Sequence, residues 1–341
     1  MNKVTSFNRI TKNPQGLIGR YPGAKRRHLI KFNQILEAYR YSIVIEPFAG
    51  ASWVSQAVNQ SYKDGVSLCL ADIDPTIRML HEIWGDETLE NELIKAHRNL
   101  QHYPVSELID DLKLCYEEAY ENNEAELIDV ASMLLLRQLS YSGKLPPCAK
   151  NEFKLNYSFS KNQLKRWGNL TYSFPKAPKN KVIYEDWSDI IYKNVGFSIS
   201  IIDPPYSGEI GEIKRRDNRY LNPSYFNHRP HDTKTFNLAT NPVYEALSSG
   251  VTVVIACNYW GQTLSDIYRK FAENFGYVVF EEKSDIPMMI DNPTGSKNLY
   301  EDTYWVFCDP RSHLCRKLSN CANLAQLTPS RSIDLFPLGT N

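Results

Sequence analysis

Asp203-Pro204-Pro205-Tyr206 ends an apolar, β-prone run, Phe197 to Ile202, and its residue types suggest chemistry more directly than any other stretch. Proline fixes φ and has no amide hydrogen, so Pro204 and Pro205 stiffen the backbone after Asp203 and Pro204 offers only its carbonyl. The Asp203 carboxylate and that carbonyl can together accept both hydrogens of a planar amino group, while Tyr206 stacks on the heterocycle carrying it. An exocyclic amine is a poor nucleophile because its lone pair is delocalised into the ring. Two acceptors drawing on its hydrogens favour a pyramidal nitrogen, which can attack a sulfonium methyl in line. Holding the reactants in register and stabilising the charge that develops on nitrogen are then the main catalytic contributions. An amine buried in duplex stacking must first be flipped out, with Tyr206 replacing the lost stacking.

Two further stretches point to a nucleotide-like ligand. In VIEPFAGAS, positions 44 to 52, a strand ends and small residues open the next element, so the backbone can approach a ligand closely. LADIDP, positions 70 to 75, follows about 20 residues later, the spacing at which an acid takes ribose hydroxyls. Asp72, at the strand end itself, is preferred as the ribose acid over Asp74 two residues on, which could instead cap a helix starting at Pro75 and Thr76. On these two stretches alone a dinucleotide oxidoreductase remains open. The tetrad at 203–206 decides against it.

The elements that position these residues follow from periodicity. Short apolar runs recur at 41–46, 66–72, 181–186, 197–203, 251–257, 277–283 and 302–309, with helical segments between several of them. That pattern predicts an α/β fold with a parallel sheet and ligands at the carboxyl ends of its strands. The last two runs, joined by a stretch without helical period, are expected to form an antiparallel hairpin at the sheet's edge. The second and third runs lie too far apart for one crossover helix. Between them, residues 86 to 129 are strongly acidic and, from 108 onward, helical in period; residues 137 to 181 are basic and interleaved with aromatics, the composition of a nucleic-acid surface. Trp167 is read as core.

The motifs resemble, in order and over most of residues 17 to 308, those of the Dam-like adenine-specific DNA methyltransferases, the alpha group with a DPPY tetrad. IGRYPGAKRR is similar to that family's N-terminal W-x-G-G-K motif, EPFAGAS to E-P-F-x-G-x-G, ADID to the ribose-acid motif and YEDW to the adenine-edge motif; DPPY matches in full. The resemblance implies methyl transfer from S-adenosyl-L-methionine to the 6-amino group of a flipped adenine in double-stranded DNA. Asp203, Pro204, Pro205 and Tyr206 would be catalytic. Tyr21, Lys25, Glu46, Pro47, Phe48, Gly50, Ser52, Asp72, Asp186, Trp187 and Asp203 would hold the cofactor, with no metal. It implies a Rossmann-like class I methyltransferase sheet, a catalytic domain at 1–85 and 181–308, a mainly helical target-recognition insertion at 86–180, and a tail at 309–341. Two departures stand out: Ser52 replaces the third glycine of the turn, and Tyr21-Pro22-Gly23-Ala24-Lys25 lacks the second glycine of the lysine motif. Serine is small enough to keep the turn, so the departure bears on cofactor affinity. The alternatives are the same chemistry on the 4-amino group of cytosine, where Ser-Pro-Pro-Tyr is usual, and a DNA-binding regulator without catalysis, against which an intact Asp203 and Tyr206 speak.

DNA contacts are expected from Arg137, Tyr141 and Lys144, and from a long basic loop after the tetrad bearing Lys214, Arg215, Arg216 and Arg219. The 341 residues carry 39 basic and 39 acidic side chains, a neutral sum that can hide local patches. Seven cysteines without a Cys-x-x-Cys pair suggest a reduced, cytoplasmic protein without structural zinc, and the resemblance implies a bacterial or phage protein acting on DNA. The N-terminus has no apolar leader and no stretch is long and apolar enough for a bilayer, so no membrane partner is expected, and the chain is read as a monomer. SIDLF, Ser332 to Phe336, resembles the short peptide by which bacterial proteins dock on the replication sliding clamp, with Ser332 in place of the usual Gln.

Overall fold

Each of the seven apolar runs forms a strand. The computed structural model describes residues 17–18, 35–36, 41–62, 64–139, 164–190, 197–204, 233–258, 261–291, 297–320 and 325–326. β1 (Ile43–Glu46), β2 (Ser67–Ala71), β3 (Asn180–Tyr184), β4 (Ser198–Ile202) and β5 (Val253–Asn258) are parallel. β6 (Val278–Asp291) and β7 (Lys297–Cys308) form the expected antiparallel hairpin, and β8 (Ala325–Gln326) pairs with β6. Among the described residues the strand order is β3-β2-β1-β4-β5-β7-β6-β8. The chain winds one way from β1 to β3 and the other from β4 to β5, so the crevice between the carboxyl ends of β1 and β4 is the topological switch point where ligands of open α/β sheets bind.

The hairpin is longer than its apolar runs indicated, because both strands continue into the linking stretch. Its register shifts between Lys283 and Pro287, where a proline can sit because β8 covers β6 only at Phe280 and Glu281.

The acidic stretch is helical: α3 (Glu87–Leu100), α4 (Val105–Asn122) and α5 (Leu127–Leu139) follow α1 (Trp53–Ser61) and α2 (Pro75–Ile83). α4 and α5 read as one periodic run, but Asn123 turns left-handed at φ 57° and ends α4. Asp86 caps α3 by accepting from the Thr88 and Leu89 amides. Leu93, Leu112, Tyr116, Val130 and Leu134 share one buried cluster with Val44 and Leu68 of the sheet. These helices therefore pack in the sheet's own core instead of enclosing one of their own. Trp167 is buried in the same cluster and donates its ring N–H to the Tyr103 carbonyl, as its core reading predicted.

On the other face, α6 (Thr233–Ser248) and α7 (Gly261–Phe275) pack with Ile45, Ile202 and Val254. The segment after Cys308, read as a tail, begins with α8 (His313–Ser319), capped by Ser312 and buried through Leu314 and Leu318. Ser332 to Phe336 lie outside the described residues. No helix among the described residues is long and apolar enough to cross a membrane.

Candidate active site

Four of the five parallel strands end in acids. Glu46 is the last residue of β1, Asp72 and Asp203 each follow the last residue of β2 and β4, and Asp186 lies two residues past β3. In the sheet order β3-β2-β1-β4 these carboxylates line up along one edge, flanking the switch point. Backbone bonds tie the strand ends together: the Ala49 amide donates to the Ala71 carbonyl at 2.8 Å, and the Asp72 amide to the Tyr184 carbonyl at 3.3 Å.

The turn after β1 is held from several directions. Gly50 has φ 45°, and Asp72 accepts its amide on Oδ2 at 2.7 Å. The other oxygen of Asp72, Oδ1, accepts the Asp74 amide at 2.9 Å. Asp72 thus fixes both the small-residue turn and its own loop, each oxygen keeping a second lone pair for a ligand hydroxyl. Asp74 caps α2, accepting from the Thr76 amide at 3.0 Å and hydroxyl at 2.7 Å, which is the second of the two roles its position left open. Glu46 accepts from the Ser55 amide and hydroxyl at 2.8 and 2.9 Å. Since α1 has no side-chain cap of its own, Glu46 satisfies its first turn from the end of the neighbouring strand.

Burial sets the protonation of this edge. Glu46 is raised from its ordinary 4.5 to about 7, mainly by desolvation, with the two Ser55 bonds opposing and the Asp203 charge adding. Asp72 is likewise raised to about 7, chiefly by desolvation and then by the Asp74 charge, against its backbone bonds and the Arg137 guanidinium. In an acid, a raised folded value means that the native state holds more protons than the unfolded chain between the two values, so stability falls as pH rises through that window. Glu46 from about pH 4.5 to 7, and Asp72 from about pH 3.8 to 7, therefore each cost on the order of 3–4 kcal/mol, and above 7 the loss is complete. Thermal melts of the ligand-free protein should show the midpoint falling between about pH 4 and 7 and levelling above it, with Glu46→Gln flattening part of the decline; an unchanged slope in that variant would contradict the assignment.

Ser52 takes a left-handed conformation at φ 46°, which a glycine would adopt freely. Its hydroxyl donates to the Ala49 carbonyl at 3.2 Å and lies 3.4 Å from His81 Nε2. His81 is buried, and desolvation lowers its pKa to about 4, so it is neutral. The Gly50 carbonyl lies 3.0 Å from Nε2 and can only accept, so Nε2 carries the hydrogen and Nδ1 is bare, with no partner among the described residues. Ser52→Gly should remove the backbone strain and raise stability by about 1 kcal/mol, within the range seen for left-handed sites. A drop in the melting temperature would show that the hydroxyl contact outweighs the strain.

Of the residues expected at the cofactor, Phe48 packs against the core beside the turn, and Asp186 and Trp187 open a 3₁₀ turn past β3. Asp186 accepts from the Ser188 amide at 2.9 Å and hydroxyl at 2.7 Å, which orients its carboxylate. Asp203 is half-buried and Pro204 buried. Pro205, Tyr206, Tyr21, Lys25, Tyr141, Lys144, Lys214, Arg215, Arg216 and Arg219 lie outside the described residues. Arg137 corrects its sequence reading. It is 5 % exposed, donates to the Met133 sulfur and acts electrostatically on Asp72, so it faces the interior and not a DNA groove.

The motifs alone did not single out Gln56, Arg78 and His81. Gln56 accepts the Leu17 amide at 3.0 Å and donates to the Ala51 carbonyl at 2.5 Å, joining the approach to the lysine motif to the turn. The available signal was the position of polar side chains on the buried faces of α1 and α2, one or two turns after the motifs.

The family model of the D12 class N6 adenine-specific DNA methyltransferases matches residues 21–249. No curated protein matches the sequence. Among solved structures, one described as "a putative RNA methyltransferase" from Pyrococcus horikoshii is similar over 91 % of this chain and 98 % of its own, at 14 % identity and a TM-score of 0.35, too low for the likeness to carry any argument.

Proposed function

The chain belongs to the D12 class of N6 adenine-specific DNA methyltransferases, enzymes that methylate adenine in DNA, and from that premise we propose S-adenosyl-L-methionine as its donor and the strand-end acids as its working groups. The observation that carries this reading is the buried Asp72 carboxylate after β2, held by the Gly50 and Asp74 amides beside the small-residue turn, with Glu46 and Asp203 at the neighbouring strand ends. Buried acids whose charge is disfavoured suit a ligand that is itself cationic and brings ribose hydroxyls, and the turn at Ala49 to Ser52 leaves room for close backbone approach. The residues present therefore fit the donor. S-adenosyl-L-methionine supplies, when bound, a methyl group on a positively charged sulfur.

The chain's own residues do the rest. Asp72 takes the ribose hydroxyls on its remaining lone pairs while its bonds to Gly50 and Asp74 keep it in place. Glu46, Pro47, Phe48, Gly50 and Ser52 form the floor of the donor pocket; Asp186 and Trp187 border the adenine moiety of the donor, and Tyr21 and Lys25 complete the pocket. Asp203 and the Pro204 carbonyl accept the two hydrogens of the target amine, Pro205 keeps that segment stiff, and Tyr206 stacks on the flipped base. Acceptors already aimed at the nitrogen need no reorganisation as positive charge develops there. The insertion between β2 and β3 serves target recognition through its basic half, with Tyr141 and Lys144, and the loop bearing Lys214, Arg215, Arg216 and Arg219 grips the duplex. Docking of Ser332 to Phe336 on the sliding clamp is a separate proposal on the sequence alone.

Incubation of the full chain with methyl-labelled S-adenosyl-L-methionine and unmethylated duplex DNA should place label in the DNA. Label that stays with the donor under conditions where both ligands bind would end this reading.

A further inference from the structure

The loop that carries Asp72 is gripped from outside the sheet. Arg78, half-buried on α2, donates through Nη1 to the Asp72 carbonyl at 3.2 Å and the Ile73 carbonyl at 2.9 Å. Through Nη2 the same guanidinium donates to Asn123, to its carbonyl at 3.0 Å and its side-chain oxygen at 2.7 Å. Asn123 is the left-handed residue that ends α4, and its side-chain Nδ2 donates to Glu185 Oε1 past β3 at 2.6 Å. α4 makes a second contact with the same loop, because the Tyr116 hydroxyl donates to Asp74 Oδ2 at 3.0 Å inside the core. A third link comes from α5, whose buried Arg137 acts electrostatically on Asp72.

Packing of α4 and α5 on the sheet accounts for buried apolar contacts but not for a planar, charged fork spent on four acceptors that join two loops. The fork joins the loop that presents Asp72 to Asn123, and the Asn123–Glu185 bond carries the link on to the loop leading from β3 into Asp186, so both ends of the chain of bonds lie at the carboxyl edge. We propose that Arg78 and Asn123 form a bracket through which the acidic helices between β2 and β3 position the donor-binding loop at Asp72, making those helices a wall of the donor site as well as part of an insertion. This rests on the donor reading given above. Arg78 is a positioning residue, since its contacts are to backbone carbonyls and to Asn123 and none is to a reacting group.

The bracket is tested by calorimetric titration with S-adenosyl-L-methionine and by amide hydrogen exchange without any donor. Arg78→Met should weaken donor binding by about tenfold or more, the loss expected when a charged hydrogen-bonding group is removed. Asn123→Gly keeps the left-handed backbone while deleting the side-chain bonds, so a smaller loss is expected, and Arg78→Lys should restore only part of the affinity because an ammonium cannot span both loops. In steady-state kinetics the loss should fall on the donor KM far more than on turnover at saturating donor. With no donor present, Arg78→Met should speed exchange at the Gly50 and Asp74 amides, both held by the Asp72 carboxylate. Lowered melting temperature with unchanged donor affinity and unchanged exchange at those two amides would reduce the bracket to scaffolding and overturn the proposal. The exchange readout separates the two ideas: faster exchange in a protein whose wild type does not bind S-adenosyl-L-methionine would keep the bracket's hold on the loop and reject the donor.

Discussion

Asp203→Ala is expected to lower single-turnover methyl transfer by about 10²–10⁴-fold, the range for removing a group that orients and stabilises a transition state. The fold should survive, because Asp203 is half-buried and lies beyond the hydrogen-bonded part of β4. Stability at pH 8 should even rise slightly. The Asp203 charge is one of the causes that raise Glu46, so its removal lets Glu46 ionise at lower cost. Asp203→Asn keeps one acceptor and loses the charge, and should fall between wild type and alanine. Transfer within about threefold of wild type in the alanine variant, in an assay where chemistry limits the rate, would remove Asp203 from the mechanism.

The second large effect is at Asp72. Asp72→Ala removes the acceptor for two buried amides, those of Gly50 and Asp74, besides the ribose acceptor. Each amide left without a partner costs about 1–3 kcal/mol, so the ligand-free protein should lose stability while its donor affinity falls by about a hundredfold or more. Asp72→Asn separates the two roles. Its carboxamide oxygen can hold one of the amides, and the buried charge is gone, so above pH 7 the variant should be closer to wild type in stability than in donor affinity. Urea melts and calorimetry on the same preparations give both numbers. If alanine and asparagine lose donor affinity equally little, the ribose acid lies elsewhere.

Much of the scaffold was legible because its signals are local. A run such as FSISII is too short for a helix and too apolar for a loop, so β4 could be placed within a residue or two, and Asp74 was a candidate cap by standing before Pro75 and Thr76. The site was legible only as far as its motifs. The spacing of EPFAGAS and ADID suggested Asp72 for a ribose; it could not indicate that Asp72 first has to hold Gly50, because that contact exists only once β1 and β2 are paired. His81 and Arg78 were missed for the same reason, since their partners are backbone carbonyls of other elements. Arg137 was misread by weighing its charge above its position. It follows Val130, Met133 and Leu134 at helical spacing, which places it on the buried stripe of α5 where a guanidinium serves an internal acid. The break at Asn123 was hidden because its left-handed turn interrupts an otherwise continuous helical period.

The central claim is that Asp203, past the end of β4, holds an adenine amine for methylation, and nucleoside analysis tests it most directly. Unmethylated duplex DNA is incubated with methyl-labelled S-adenosyl-L-methionine and wild type or Asp203→Ala, digested to nucleosides and separated. The label should appear in N6-methyladenine with wild type and nearly vanish with the variant. Label in N4-methylcytosine, or in N6-methyladenine at equal rates with both proteins, would contradict the account.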